Sequence, residues 1–368
     1  MRQLEKMLRP SVDAAVMKAK SSGIAHICVL LAILVFCSSQ KGAALDPHSR
    51  ISQYGHTAWR IQDGFISEAA SITQTAHGYI WIAALGGLFR FDGARFTLWT
   101  PPNNQSLPST GVNSLLGARD GSLWIGTTLG LSHLKAGRLT NYKTTPHSPG
   151  ISAILEDHAG RIWVTRYLIN DGMGALCWAK DSALECYGEG TPDAYGLGIA
   201  EDSAGNIWFG CKMLCRLENG SFVTYFNEQF KNPAGNGVVS VAALPPGEIL
   251  AGIEGIGPKL GLQHFSDGKW ASYIVPGFDG RTVRSPVLFV DSKKTLWIGP
   301  DSNGLYHIHD GFADHFGTTD GLSGKAVQAL YEDMEGNLWV ATDRGLDLFR
   351  DNSVIQFLPH PGSIRGRG

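Results

Sequence analysis

The chain has 368 residues, of which 17% are charged, 10% are aromatic and 46 are glycine, and its formal net charge is −2. A net charge so close to zero excludes a strongly basic surface, so nucleic acid is not an expected partner. An average soluble protein has about 25% charged residues. The low charge, the aromatic residues and the many glycines, which disfavour helix interiors, therefore favour a fold rich in strands and turns and exclude long disordered regions.

The N-terminus has the pattern of an export signal. Basic residues such as Arg9 and Lys20 precede an uncharged apolar run at 27–37. This run has the length of a signal-peptide core and is shorter than the about 20 residues that span a membrane. The small residues Gly42 and Ala44 suit cleavage before Leu45. We therefore expect residues 1–44 to be a signal peptide, or an uncleaved anchor at 23–40 that is the chain's contact with a membrane, and the remainder to be periplasmic.

Four cysteines follow the export signal, namely Cys177, Cys186, Cys211 and Cys215. An exported compartment permits disulfides, so all four are disulfide candidates. Cys177 and Cys186 flank a predicted hairpin turn, and we expect their Cα atoms to be about 4.4–6.8 Å apart. Cys211 and Cys215 flank a second short turn. Free buried thiols are the alternative, whereas the spacing fits no zinc ribbon or knuckle.

A Gly-x-x-Trp motif recurs along the chain, as in repeat proteins. Its tryptophan position occurs seven times at intervals of 39 to 47 residues, with Leu250 in place of tryptophan in unit five. Six of the ten tryptophans therefore share one repeat position, and we expect them to be buried structural residues. They are Trp81, Trp124, Trp163, Trp208, Trp297 and Trp339.

Each unit has the pattern of four short strands joined by tight turns, which is one blade of a β-propeller. A single blade cannot bury its own faces, so seven must stack and close into a ring. We therefore predict an all-β fold, a seven-bladed β-propeller of four-stranded blades at residues 45–360, followed by a tail at 361–368. The segment around Trp59 matches the fourth-strand pattern and is expected to complete the seventh blade, which leaves a surplus strand at 354–357.

The units, most clearly VQALYEDMEGNLWVATDRGLDLFRDN, resemble the two-component regulator propeller repeat over residues 51–357. Residues 118–131, 201–210 and 332–346 match its Asp-x-x-Gly-x-hydrophobic-Trp pattern closely. This family builds the periplasmic sensor regions of hybrid histidine kinases, so the resemblance implies a sensor in a phosphorelay. Its members typically continue into a second propeller, an immunoglobulin-like domain, a membrane helix and a kinase core. None of these follows here, so we expect a truncated sensor without the kinase.

The loops of one propeller face are the expected ligand site. In propellers, the loops between the second and third strands share a face with the connections between blades, and binding residues concentrate on such loops. The expected ligand is an unknown small molecule or an oligosaccharide. The candidate residues in these loops are Arg166, Tyr167, Asp171, Lys259, Arg281, Arg284, Asp301, Asp343 and Arg344.

No cofactor and no metal site are expected. His307 and His309 lie two apart on one face of a predicted strand, with His315 on the next, and this geometry could hold a metal. Exposed strand histidines are commoner, however. The acidic turns lack the alternating oxygen ligands of a calcium loop. The Asp-x-x-Gly-x-x-Trp element itself is interpreted as a structural turn.

The sequence leaves three hypotheses for the function. The leading hypothesis is a sensor module that binds a ligand or a sensor-kinase partner domain and catalyses nothing, because the sequence has no kinase motif, phosphate loop or nucleophile elbow. A polysaccharide hydrolase or lyase would need two carboxylates about 5–10 Å apart, for which Asp301 and Asp343 are the candidates. The third is a structural interaction platform without a small ligand.

Overall fold

The computed structural model describes residues 44–65, 68–84, 86–142, 150–167, 175–181, 183–187, 198–211, 213–225 and 237–352. These residues form seven four-stranded sheets and one two-stranded sheet. The apolar part of the export signal, the strand expected at 354–357 and the tail lie outside them. Among the described residues, no helix has the length and hydropathy needed to cross a membrane.

Thirty strands are described. In chain order they are β1 (Gly55–Arg60), β2 (Ala69–Gln74), β3 (Ile80–Ala84), β4 (Gly87–Phe91), β5 (Phe96–Leu98), β6 (Val112–Gly117), β7 (Leu123–Thr127), β8 (Gly130–Lys135), β9 (Arg138–Tyr142), β10 (Gly150–Glu156), β11 (Ile162–Tyr167), β12 (Leu176–Lys180), β13 (Ala183–Tyr187), β14 (Ile199–Glu201), β15 (Ile207–Gly210), β16 (Leu214–Glu218), β17 (Ser221–Tyr225), β18 (Val238–Leu244), β19 (Glu248–Ile253), β20 (Gly261–Ser266), β21 (Lys269–Ser272), β22 (Ile274–Val275), β23 (Phe278–Asp279), β24 (Val287–Val290), β25 (Leu296–Gly299), β26 (Leu305–His309), β27 (Phe312–Phe316), β28 (Val327–Glu332), β29 (Leu338–Thr342) and β30 (Gly345–Arg350). Short 3-10 turns lie at Ile51–Gln53, Ile61–Asp63 and Gly280–Thr282.

The four-stranded sheets are the blades of one ring. Blades one to six are β2–β5, β6–β9, β10–β13, β14–β17, β18–β21 and β24–β27, and blade seven is β28–β30 with β1 on its outer edge. The first strand of every blade packs against the first strand of the next, and β28 of blade seven returns to β2 of blade one. The short pair β22–β23 lies in the connection between blades five and six. The predicted seven-bladed propeller is therefore confirmed.

The turn before each second strand explains the repeat motif. In blade four, Asp202 accepts hydrogen bonds from the backbone N–H of Ala204 and Asn206, both at 2.9 Å, and from the Trp208 indole at 2.8 Å. Gly205 between them has φ +84°, which a side chain would strain. The same aspartate-to-indole bond is made in blades three, six and seven. The motif is thus a structural turn that fixes the buried tryptophan.

The second strands and their tryptophans form the tightest part of each blade. Every residue of β3, β7, β25 and β29 is buried. All six repeat tryptophans are at most 6% exposed. They pack within and between blades, as where Trp208 faces Phe265 of the next blade at 5.9 Å between ring centroids.

The two ends of the described chain close the ring by pairing β1 with β30. The register places Trp59 opposite Leu346 and His56 opposite Phe349. Trp59 stacks on Trp339 at 5.7 Å between ring centroids. The interpretation of the Trp59 segment as the missing fourth strand of blade seven is therefore correct, and it gives the third strand of that blade a partner on its outer edge.

Candidate functional site

One end of the blades carries both the loops between second and third strands and the connections from each blade to the next, because antiparallel strands alternate in direction. We call this end the loop face. It contains a cavity of about 400 Å³ where blade seven meets the connection from blade six. This volume lies within the usual range for small-molecule sites. The lining residues are Arg60, Thr318, Leu322, Ser323, Gly324, Lys325, Asp343 and Arg344.

The walls of this cavity are held together by Asp343, in the loop between β29 and β30. Its Oδ1 atom accepts hydrogen bonds from the backbone N–H of Lys325 at 2.9 Å and of Ala326 at 3.1 Å. The hydroxyl of buried Ser323 bonds that of Thr342 at 2.7 Å. The connection between blades six and seven is therefore docked on the blade-seven loop, which gives the cavity a preformed wall.

The cavity is predominantly cationic. Arg60, Lys325 and Arg344 contribute three positive side chains against the one carboxylate of Asp343. Arg60 donates from Nη2 to the Gly321 carbonyl at 3.1 Å, which positions its guanidinium at the cavity wall. The Arg344 side chain is 77% exposed, with its Nε 3.8 Å from Asp343 Oδ2. A planar guanidinium so exposed is free to bind a carboxylate or phosphate in a bidentate manner.

A second cavity, of about 560 Å³, opens on the loop face at blades seven, one and two. Its polar lining comes from Glu68, Asn113, Thr128 and Gln328. These amides and hydroxyls are hydrogen-bonding groups of the kind that recognise sugar hydroxyls. The loop face thus combines a cationic cavity with a largely uncharged polar one.

A larger cavity of about 620 Å³ lies at the opposite end, between blades two and three. Its charged side chains already have partners. Arg119 lies 3.0 Å from Glu156, Arg161 lies 2.6 Å from Asp157, and His158 pairs with Glu201. These pairs join neighbouring blades or brace the turns before the second strands, so we assign them to the scaffold and not to ligand binding.

The nine predicted loop residues do not form one site. Asp343 and Arg344 line the cationic cavity, whereas Arg60 and Lys325 were missed. The sequence had a usable signal for Lys325, since it lies in a connection between blades, the class of loop that supplied Arg281 and Arg284. The sequence had no such signal for Arg60, because the position of this residue depends on β1 pairing with the far end of the chain.

Two predicted ligand residues have structural positions instead. Arg166 is 1% exposed inside β11, where its Nη1 lies 3.8 Å from the Cys177 sulfur, so its assignment to a solvent-facing loop is wrong. Tyr167 ends the same strand, and its hydroxyl accepts a hydrogen bond from Asn113 at 2.9 Å. Both corrections have one cause, since β11 extends further than the repeat pattern predicts. Asp171 lies outside the described residues.

The remaining candidates are exposed on other blades of the loop face. Lys259 and Arg284 are exposed, and Arg281 is exposed but paired with Asp279 at 2.6 Å. Asp301 is exposed in the loop between β25 and β26, where its Oδ1 accepts from the Ser302 hydroxyl at 3.3 Å. The expected pairing of Asp301 with Asp343 in a hydrolase gains no support from Asp343, whose Oδ1 atom is already used to dock a loop.

The histidines differ from expectation. His307 and His309 are buried, not exposed, and their carboxylate neighbour on β27 is Asp314. His315, the expected third member, instead bonds the Asn303 carbonyl. The signal that could have identified Asp314 is its cross-strand position, directly opposite His307.

Both cysteine pairs are bonded. Cys177 and Cys186 face each other directly across β12 and β13, and their Cα atoms are 4.0 Å apart, just below the expected range, because they are opposite residues of an antiparallel pair. Cys211 and Cys215 bridge the loop into β16, with Cα atoms 5.9 Å apart. Each disulfide braces one blade close to the loop face.

Comparison with known proteins supports the same repeat. The model of the two component regulator propeller family matches residues 106–128 and 321–344. The second segment contains most of the connection and loop that form the cationic cavity. No curated protein matches the chain.

Among solved structures, the extracellular domain of BT4673 from B. thetaiotaomicron, assigned as a one component system, is 21% identical with a TM-score of 0.62, over 82% of this chain and 40% of that one. The extracellular domain of BT3049 from the same organism, assigned as a hybrid two component system, is 19% identical with a TM-score of 0.63, over 81% and 42%. The chain thus spans about two fifths of these structures.

An enzyme shares the same fold. Virginiamycin B lyase from Staphylococcus aureus is 16% identical, with a TM-score of 0.61, over 81% of this chain and 99% of that one. Identities this low show the common propeller alone. The match that carries family information is the repeat model, and it shows that two segments of this seven-bladed β-propeller match the repeat of the two component regulator propeller family.

Proposed function

We propose that this chain is an exported sensor propeller of a two-component signalling system, and that its loop face binds a ligand bearing an acidic group. The observation that carries the proposal is the cationic cavity formed by Arg60, Lys325 and Arg344. The family of its repeats and the extracellular origin of two structural neighbours support the sensor role.

An acidic oligosaccharide suits this face best. Its carboxylate would be recognised by the guanidinium of Arg344 and the ammonium of Lys325. Its hydroxyl groups would be recognised by amides and hydroxyls such as those of Asn113, Thr128 and Gln328. Ligand binding would bias a kinase-bearing partner, while the propeller itself transfers no phosphoryl group. Incubation with labelled ATP should accordingly give no phosphohistidine.

Calorimetric titration with a panel of acidic oligosaccharides and their neutral counterparts tests the binding proposal. We expect saturable binding of an acidic member and at least about tenfold weaker binding of its neutral counterpart, since hydrogen bonds to charged groups contribute about 1.5–3 kcal/mol. The affinity should fall as salt concentration rises.

Two single substitutions locate the site. Arg344→Ala should weaken acidic-ligand binding by about tenfold or more. Lys259→Ala is the matched control, because Lys259 is an exposed cation of the same face on blade five and should leave the affinity unchanged. Equal affinities for all three proteins, or equal binding of neutral and acidic ligands, would contradict the proposal.

A further inference from the structure

A buried polar cluster lies on the outer half of blade six, apart from the loop-face cavities. His307 and His309 are two residues apart on β26 and therefore project from the same side of the strand. Asp314 on β27 is the cross-strand partner of His307. The two imidazole rings stack with centroids 4.7 Å apart. Three potential metal ligands are thus brought together on one hairpin.

Two of the three separations between these ligand atoms match those of a tetrahedral metal site. Asp314 Oδ1 lies 3.4 Å from His307 Nδ1 and 3.5 Å from His309 Nε2. One ligand atom from each residue lies within 4.8 Å of the others. In a tetrahedral zinc site with bonds of about 2.0–2.1 Å, neighbouring ligand atoms are about 3.3–3.4 Å apart. Small rotations of the side chains would complete the arrangement.

The cluster is buried without hydrogen bonds to the imidazoles. His307 has no exposed surface and His309 is 6% exposed. Among the described residues, none of their four ring nitrogens has a hydrogen-bond partner, and neither does Asp314 Oδ1. Buried polar atoms without partners destabilise a folded chain. A bound cation would satisfy one nitrogen of each ring together with the carboxylate oxygen.

His309 departs from the pattern that the other blades share at its position. A histidine opposite the repeat tryptophan also occurs in blade two, where His133 stacks on Trp124 at 4.0 Å, so stacking alone accounts for a residue such as His307. The residue two positions later is exposed or half-buried in every other blade, for example Lys135. Within the described strands, the buried histidine at this position is confined to blade six.

The segment that precedes β1 closes the cluster. Asp314 Oδ2 accepts a hydrogen bond from the Ile51 backbone N–H at 2.7 Å, which leaves Oδ1 directed at the two rings. Asp310 Oδ2 lies 3.6 Å from His309 Nδ1, on the far side of the ring from Asp314. Asp310 Oδ1 in turn bonds His48 Nδ1 at 2.9 Å. A carboxylate behind a histidine in this way is a common feature of metal sites.

We propose that His307, His309 and Asp314 bind a divalent transition-metal ion of the Zn²⁺ class. Two imidazoles and one carboxylate are ligands that suit this class and leave a fourth position for water. Asp310 Oδ2 lies 3.6 Å from the other ring nitrogen of His309 and would position that ring once the ion is bound. Because Asp314 and Asp310 also hold Ile51 and His48, the ion fastens the outer hairpin of blade six to the segment leading into the ring-closing strand.

Metal titration of the full chain, purified without a histidine tag and stripped with a chelator, tests this site. Calorimetry should show one Zn²⁺ bound per chain, and Co²⁺ should give the visible absorption of a tetrahedral complex without thiolate charge-transfer bands. Zn²⁺ should also raise the melting temperature, since it binds the folded state.

Four variants identify the ligands. His309→Gln and Asp314→Asn should weaken Zn²⁺ binding by more than about 100-fold, and Asp310→Asn by about 10–100-fold. His133→Gln is the matched control, because it removes a stacked histidine from a blade that lacks the cluster, and it should bind Zn²⁺ like the native chain. Should Asp314→Asn fail to fold, His309→Gln alone decides. Failure of the native chain to bind Zn²⁺, or equal affinity in His309→Gln, would overturn the proposal.

Discussion

The aspartate that precedes the second strand in blades three, four, six and seven is the residue on which the repeat depends most visibly. In blade four, burial raises the pKa of Asp202, but the hydrogen bonds from Trp208, Asn206 and Ala204 outweigh it and hold that pKa below its usual value of 3.8. In blade three, Asp157 has its pKa lowered in the same way, against burial, by Trp163 and Arg161. A carboxylate whose folded pKa is depressed stabilises the fold above its unfolded pKa and loses that contribution as the pH falls through the folded value.

Asp202→Asn should therefore reduce the pH dependence of stability in acid. The native chain should lose stability as the pH falls below about 5, where the unfolded carboxyl begins to bind a proton. The variant should be less stable than the native chain at pH 7, and the difference should shrink towards pH 2. Urea unfolding at both pH values measures this. Asp267→Asn, at an exposed turn, is the control and should match the native profile. A difference that stays constant with pH would contradict this account.

Substitution of Trp339 should measure how much a repeat tryptophan contributes to the free energy of unfolding. Trp339 is 4% exposed, stacks on Trp59 and donates its indole N–H to Asp333 at 2.8 Å. Trp339→Ala should destabilise the fold by about 3–5 kcal/mol through the cavity that it leaves. Met334→Ala, in the same blade but 59% exposed, should change stability by less than about 0.5 kcal/mol. Similar unfolding midpoints for the two variants would count against a packed inter-blade core.

Single residues were predictable where the period of the repeat determined them and not elsewhere. The six tryptophans share one position, so their burial follows from the pattern. Arg166 was misplaced because the end of β11 depends on pairing with β10 up to Gly150, which the repeat does not encode. The His307–Asp314 contact depends on cross-strand register, and the position of the Asp314 carboxylate also depends on the distant segment that holds Ile51.

At the scale of elements, the strand β1 both closes the ring and contacts the residues of the cationic cavity. Its His56 donates a hydrogen bond of 2.8 Å from Nε2 to Asp347, which is fully buried on β30. Asp347 also accepts from the backbone N–H of Ser323 at 3.1 Å, in the connection that forms the cationic cavity. Ring closure and the candidate site are thus joined through one carboxylate. The pattern of Trp59 predicted the strand, but nothing in the sequence predicted this link.

Removal of β1 should open the ring. A chain beginning at residue 64 would leave β30 as an exposed edge strand. This strand carries residues that are fully buried in the closed ring, such as Phe349. We expect a lower melting temperature and association at raised concentration, measured by calorimetry and light scattering. A chain beginning at residue 44 is the control, because it retains β1 and should behave as the full chain does. Equal melting of the two shortened chains would show that β1 does not close the ring.

At the scale of the whole molecule, the two ends of the blades differ in how their charged side chains are paired. On the end opposite the loop face, charges pair between blades, as in the contact of Arg119 with Glu156. On the loop face, Arg60, Lys325 and Arg344 surround a cavity that contains one carboxylate. The propeller and its seven blades could be predicted from the sequence because the period is local. The site could be predicted only in part, because it unites residues from both ends of the chain.

The central claim is that the loop face, at the cationic cavity, binds an acidic ligand. Hydrogen exchange read by mass spectrometry, with and without the acidic oligosaccharide that binds best, tests it most directly. We predict slower exchange at 317–326 and 342–345, which form the cavity walls, and unchanged exchange at 157–161 on the opposite end. Arg344→Ala should abolish the protection at the same ligand concentration. Protection centred on 157–161, or none at 317–326 while the ligand is bound, would contradict the account.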